Sequence, residues 1–258
     1  MIDNRFKKYK DCILIEGDGR DLSILQDESI DCIITDHPWA DPKANKGGNR
    51  NFSDYDCFEY TLEDFKEKAR VLKDGCFLVE VIPNENESNF DYLYQLKKMA
   101  QEAGFLYYAK VPWQKGTFKS NTGRCVKDRE DLMIFSKGKA RALKWDKQRD
   151  LDENGNPTRR MSGTNGMLPA EFSVQAVPKK EQICQSEKPS LLFEQLLEYI
   201  TLENELILDQ FSGSGSVGEA CLKTNRKCVL IEKDKDKIEK IAKRLGIDCA
   251  RVKANQIA

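Results

Sequence analysis

The chain has 258 residues, 40% of them hydrophobic, with a formal net charge of −1, so it can bury a sizeable core in one large domain or a domain with an insert and carries no global attraction for a polyanion. Nine cysteines without a C-x-x-C pair and a single histidine argue against a zinc site. The odd thiol count and the lack of a signal-type leader predict reduced cysteines in a cytoplasmic protein, and no apolar run reaches the length of about 18 residues that a membrane span needs.

Asp11 to Gly17 (DCILIEG) reads as a short buried strand, and Leu22 to Leu25 as one helical turn. Ile30 to Asp36 (IDCIITD) is a second buried strand that runs into His37-Pro38-Trp39. Both are continuous apolar runs, the pattern of a parallel sheet covered on both faces. The polar, glycine-bearing stretch 40–55 reads as a loop beside Trp39. Thr61 to Leu72 has helical periodicity and a capping-box start, Cys76 to Ile82 is a third strand, Phe90 to Ala103 an amphipathic helix, and Phe105 to Trp113 and Leu132 to Phe135 two more strands. Between Lys110 and Arg149 there are 12 Lys/Arg against 4 Asp/Glu, a local basic segment in an otherwise compensating chain. Residues 139–182 read as an irregular insert. Pro189 to Ile200 is an amphipathic helix with proline in its first turn. The whole is an α/β architecture with a mostly parallel sheet.

The stretch Leu206 to Glu232 (LILDQFSGSGSVGEACLKTNRKCVLIE) is a strand, a glycine turn, a helix and a second strand, with a carboxylate at each strand exit. Glycine there permits positive φ and close approach of a ligand to the backbone. The helix start offers free N–H groups, and Glu232 suits a ribose diol. Gly213, Gly215 and Gly218 satisfy G-x-G-x-x-G, which taken alone also admits a nicotinamide-dependent oxidoreductase. Too little chain follows for that fold in its usual order, so the sheet is expected to be permuted. Asp36-His37-Pro38-Trp39, at the exit of a buried strand, is the second constellation: an acid, a restricted X-Pro backbone and an aromatic ring form a trap for a planar group bearing an amine.

With these motifs the chain resembles the β class of amino-methylating DNA methyltransferases, which act on N6 of adenine or N4 of cytosine. Asp36 to Trp39 is similar to their Asp-Pro-Pro-Tyr/Trp catalytic motif, and Asp209 to Gly215 to their Asp-Pro-Phe-x-Gly-Ser-Gly cofactor motif. Glu16-Gly17-Asp18, Val111 to Lys115 and Ser186 to Pro189 resemble further elements in the same order. The resemblance implies a permuted Rossmann-like S-adenosylmethionine-dependent fold, with a catalytic half at 1–138, a target-recognition insert at 139–182 and a cofactor-binding half at 183–258. It implies S-adenosylmethionine as cofactor and double-stranded DNA as partner, with no metal or membrane and with a homodimer allowed. Asp36 and the His37 carbonyl are expected to hold the amine of a flipped base, with Pro38 restricting residue 37, while Trp39 stacks on the base. Asp209, Phe211, Gly213 and Gly215 are expected around the methionine and sulfonium, Glu232 at the ribose, Asp18 at the adenine, and Lys188 and Ser190 over the methionine carboxylate. Lys115, Lys119 and Arg124 are assigned to phosphates and Arg159 and Arg160 to base reading. A leading Asp favours adenine in the family.

Two residues depart from the pattern. His37 replaces the first proline of the catalytic motif, and Gln210 the proline after Asp209. The His37 side chain is expected to face DNA or solvent rather than act as a base. An oxidoreductase, a non-catalytic DNA-binding homologue, and an RNA or protein substrate remain the alternatives.

Overall fold

The computed structural model describes residues 6–9, 11–38, 57–117, 126, 128–143, 149–161 and 167–247. In chain order the strands are β1 (Phe6–Tyr9), β2 (Cys12–Glu16), β3 (Ile30–Thr35), β4 (Leu72–Pro83), β5 (Phe105–Gln114), β6 (Arg129–Lys137), β7 (Arg149–Leu151), β8 (Pro157–Met161), β9 (Phe172–Ser173), β10 (Leu206–Asp209) and β11 (Lys227–Glu232). The helices are α1 (Leu62–Val71), α2 (Phe90–Glu102), α3 (Ser190–Ile200), α4 (Ser216–Lys223) and α5 (Lys235–Leu245).

Nine strands form one sheet in the order β1-β2-β11-β10-β3-β4-β6-β5-β9. The central five, β2 to β4 in that order, are all parallel, while β1, β6 and their pairings are antiparallel. Strand alternation divides the core into two layers. Cys12, Leu14, Cys32 and Ile34 face one side and pack with α3, α4 and α5. Ile13, Ile15, Ile30 and Ile33 face the other and pack with α1 and α2. Both faces are therefore dry, which is why the strands read as unbroken apolar runs.

The local signals explain the boundaries. Asp64 accepts from Thr61 N and Oγ1 at 2.7 and 2.8 Å to start α1, and Asp234 accepts from Asp236 N and Lys237 N to start α5. Gly246, at φ 64°, ends α5. Three features differ from the sequence reading. The predicted turn of helix at 22–25 is a turn closed by Leu25 N donating to Leu22 O at 2.9 Å. β4 begins ten residues after the start of α1 with no intervening loop. The 139–182 stretch is partly regular: β7 and β8 form a hairpin, and β9 joins the main sheet beside the end of β5.

The course of the chain sets the site. From β3 it crosses through α1 to β4 on one side, and from β10 through α4 to β11 on the other. β3 and β10 lie side by side, so their boundary is a topological switch point, and the crevice opens outside their carboxyl ends.

Candidate active site

Asp36 follows β3 directly, and Asp209 closes β10. The carboxylates lie near enough for Asp36 to raise the Asp209 pKa, an effect that adds to burial, the larger cause; together they hold Asp209 well above the ordinary carboxylate range. Asp209 Oδ1 also accepts from Phe211 N at 3.2 Å. Gly213 (φ 51°) and Gly215 (φ 78°) take the left-handed conformation in the turn behind it, with Gly215 as the N-cap of α4. A Cβ on Gly215 would lie 2.9 Å from Ile241 Cγ2. Gly215 is thus required both by φ and by space, and Gly213 by φ alone.

Glu232, at the exit of β11, is 7% exposed. Its two oxygens accept from Gly213 N at 2.9 Å and from Asp234 N at 3.0 Å. Each oxygen keeps a further lone pair, so the carboxylate is oriented and still able to accept from a diol. At the exit of β2, Asp18 accepts from Arg20 N at 2.9 Å and lines a cleft of about 330 Å³ with Arg20, Thr61 and Glu63. Asp18 is the one candidate site residue in that cleft. The adjoining Gly19 was not singled out from sequence. A Cβ there would sit 1.9 Å from Gln210 O and 2.7 Å from the Phe211 ring. Gln210 Nε2 donates to Gly19 O at 2.7 Å, so the glutamine in place of the usual proline ties the β2 and β10 exits together.

Lys188, just ahead of α3, reaches across the crevice. Its Nζ lies 2.6 Å from Asp36 Oδ2 and 3.3 Å from Glu130 Oε2. Burial lowers the Lys188 pKa, but Asp36 and Glu130 outweigh it and hold the ammonium above the ordinary lysine value. Burial raises the Asp36 carboxyl, and Lys188 pulls it partly back. Glu130 opens β6, which runs antiparallel to β4 and so begins where β4 ends. Its other oxygen lies 2.5 Å from Lys115 Nζ. Burial raises Glu130, and the two lysines overcome this to leave its pKa lowered. The row Asp36–Lys188–Glu130–Lys115 thus alternates in sign along the crevice wall. Ser216 Oγ donates to Lys188 O at 2.7 Å, fixing the Lys188 backbone to the start of α4. Ser190 accepts from Lys223 Nζ at 3.3 Å.

Several expected positions find other surroundings. The His37 side chain is 1% exposed; the expectation that it faces DNA or solvent is corrected, because an aromatic cluster and the buried Glu80 draw it inward. Trp113 is buried at 1% exposure and donates from Nε1 to Val174 O at 2.8 Å. Lys115 is 17% exposed and directed at Glu130. Trp39, Lys119 and Arg124 lie outside the described residues, and Arg159 and Arg160 are described by backbone alone, in β8. Glu130 and Glu80 were missed in the sequence. The signal for Glu80 was present: an acid inside the apolar run Cys76 to Ile82 requires a partner.

The crevice gathers Asp36, Asp209 and Glu232 beside a helix start and two positive-φ glycines. Such a set suits a ligand that carries a cationic centre, a carboxylate and a ribose, since a positive charge relieves the mutual repulsion of the buried acids. Gln210 Oε1, buried without a partner, is a further acceptor near it.

Comparison with known proteins agrees with this geometry. The family model described as DNA methylase, of the N6/N4 type, matches residues 30–244. The type II methyltransferase M.HpaI of Haemophilus parainfluenzae is 28% identical over 229 residues, spanning 87% of this chain and 70% of that protein. M2.LlaDCHI of Lactococcus lactis subsp. cremoris is 22% identical over 252 residues, spanning 93% and 91%. Among solved structures, the cytosine-N4-specific PvuII DNA methyltransferase gives a TM-score of 0.66 at 17% identity, covering 97% of this chain and 91% of that one. M1.HpyAVI in complex with SAM gives 0.61 at 20% identity, covering 92% and 100%. The fold is the Rossmann-like one of DNA methyltransferases. The chain belongs to the N6/N4 DNA methylase family, the amino-methylating DNA methyltransferases.

Proposed function

We propose that this protein transfers a methyl group from S-adenosylmethionine to N6 of adenine in double-stranded DNA. The observation that carries the reading is the placement of the Asp36 carboxylate at the switch point, beside Asp209 and the Gly213–Gly215 turn and held by Lys188. S-adenosylmethionine, when bound, supplies an electrophilic methyl on a sulfonium. Asp209 and the glycine turn lie where they would hold its methionine end, and Glu232 where it would accept from the ribose hydroxyls. Asp18 is assigned to the adenine side and Ser190 to the carboxylate side.

Asp36 would accept a hydrogen bond from one hydrogen of the target amine and the His37 carbonyl from the other, which draws the nitrogen lone pair out of conjugation and towards the methyl; the proton that the nitrogen gives up on methylation would pass to the Asp36 carboxylate. Lys188 keeps Asp36 charged for that task. Trp39 stacks on the flipped base, and Pro38 restricts the backbone of residue 37. Most of the acceleration then comes from alignment. No covalent adduct with a cysteine is required, since the amine nitrogen is itself the nucleophile; the cysteines within β2, β3 and β11 are buried in the sheet. Lys119 and Arg124, with Arg159 and Arg160 of β8, are assigned to DNA phosphates and bases, while Lys115 is paired with Glu130 in the crevice wall.

Incubation of the purified protein with isotopically labelled S-adenosylmethionine and bacterial DNA, followed by nucleoside analysis, tests this. Label in N6-methyladenine is the expected result. Label in N4-methylcytosine would keep the mechanism and change the base; no label in DNA would overturn the reading.

A further inference from the structure

Beneath the catalytic segment lies a polar cluster inside an otherwise apolar layer. The ring of His37 contacts Tyr60 at 4.2 Å between centroids and Phe58 at 5.6 Å. Its Nε2 is 3.0 Å from Tyr92 Oη, and its Nδ1 is 3.8 Å from Glu80 Oε2. The other Glu80 oxygen accepts from Lys68 Nζ, and both of those side chains are 0% exposed. Lys68 Nζ also lies 3.5 Å from the Tyr60 ring centroid and 4.7 Å from that of Phe65. Burying an ion pair so completely is expensive, and apolar residues of similar volume commonly match its stability. A role in placement explains its presence better than stability does.

The same cluster grips the catalytic segment at a second point. Phe58 N donates to Pro38 O at 3.3 Å, and Tyr60 N donates to Tyr92 Oη at 3.0 Å. Phe58 and Tyr60 extend to Phe211 of the cofactor turn, with ring centroids at 5.3 and 6.4 Å.

Resting on the reading above, we propose that His37 is a positioning residue for methyl transfer: its imidazole, bonded to Tyr92 and packed on Tyr60 over the Lys68–Glu80 pair, holds residues 36–38 so that the Asp36 carboxylate and the residue-37 carbonyl stay aimed at the target amine. The proline usual at this position has its one nitrogen in the backbone amide, with no N–H, and so has no side-chain donor or acceptor to offer Glu80 or Tyr92. Tyr92 Oη accepts from Tyr60 N on one lone pair, and we assign its own hydrogen to His37 Nε2, because the opposite direction would turn a bare Nδ1 lone pair towards the Glu80 carboxylate. The imidazole proton then resides on Nδ1, towards Glu80. The groups facing the ring are Glu80, Lys68, Tyr92, Tyr60 and Asp36. Lys68 already balances Glu80, so a proton added to His37 would leave a net positive charge in a dry site. Burial accordingly lowers the His37 pKa.

The chain contains one histidine, so the intact protein labelled with ¹⁵N-histidine gives a single imidazole whose two nitrogens report protonation and tautomer without assignment. We expect a neutral ring with its proton on Nδ1, unchanged from about pH 8 to about pH 6. A ring that titrates near the ordinary value of about 6.5 would overturn the proposal. The kinetic arm uses Tyr92→Phe, which removes one hydroxyl, and His37→Pro, which restores the family residue. Both should lower kcat about tenfold or more, with KM for S-adenosylmethionine within about twofold. Unchanged kcat in both variants would sink the proposal while wild-type activity left the functional reading standing. A wild-type protein without methyl transfer would instead remove the functional reading, and this inference with it.

Discussion

At Asp36 two demands oppose each other. In the role proposed for it the carboxylate has to be charged to accept amine hydrogens, yet the surrounding protein raises its pKa while Lys188, 2.6 Å away, draws it down. A carboxyl with a raised pKa is charged only above that value. Methyl transfer is therefore lost as pH falls through it, along a limb lying above the ordinary 3.8. Lys188→Met removes the counter-charge and keeps the stem, so the acid limb of kcat moves to higher pH and kcat at neutral pH drops by on the order of tenfold. A pH–rate profile identical to wild type would contradict that role. Asp36→Asn replaces one acceptor by a donor facing the amine and should cost on the order of a hundredfold in kcat with cofactor affinity retained. The acids of the site were legible because each ends an apolar run: Asp36 after β3, Asp209 in β10 and Glu232 in β11. The partners of Lys188 were not, since Asp36 lies 152 residues away along the chain and Glu130 belongs to a different strand. Nor was the direction of His37, because a polar residue in a turn gives no sign that a buried Glu80 lies beneath it.

The glycine turn and the exit of β2 meet as two elements rather than as isolated residues. Gly19 lets the chain after β2 pass against Gln210 and Phe211, where a Cβ would lie 1.9 Å from a backbone oxygen. Gly19→Ala forces the two loops apart and should weaken S-adenosylmethionine binding by about tenfold or more, which is about 1.4 kcal/mol by calorimetry. Gly138→Ala is the control: that glycine also has a positive φ, 62°, but nothing lies within 4 Å of its added Cβ. It should leave binding unchanged. Equal effects at both sites would show that the loop contact is unimportant. The central strands and helices α1 to α4 could be read from apolar runs, caps and glycine stops. Strand β1 (FKKY) could not, as an edge strand with two lysines carries no apolar run. The hairpin of β7 and β8 was missed although Asn154-Gly155 lies in its turn, because the flanking residues lack alternation. Strand β9 has two residues and was beyond any periodicity argument.

Over the whole molecule, the permuted strand order brings an early strand, β3, beside a late one, β10. The two chain halves therefore build a single crevice, and the core beneath it is shared. Leu208 of β10 is 0% exposed in the layer that also holds Ile33 of β3. Leu208→Ala should destabilise the protein by about 2–5 kcal/mol in a denaturant titration, with a single transition if the halves unfold together. Two separated transitions would show that they fold as independent units. With a net charge of −1, the DNA contact proposed for the basic segment between Lys110 and Arg149 would have to supply the electrostatic attraction. On that proposal affinity should fall steeply with added salt, and a binding constant indifferent to salt would rule that segment out.

The most direct measurement is methylation-sensitive long-read sequencing of DNA from cells expressing this chain, beside cells expressing Asp36→Ala. The account predicts modified adenine in one short sequence motif, present with the wild-type chain and absent with the variant. An unmodified genome from cells that contain folded wild-type protein, or a mark that persists in Asp36→Ala, would contradict it.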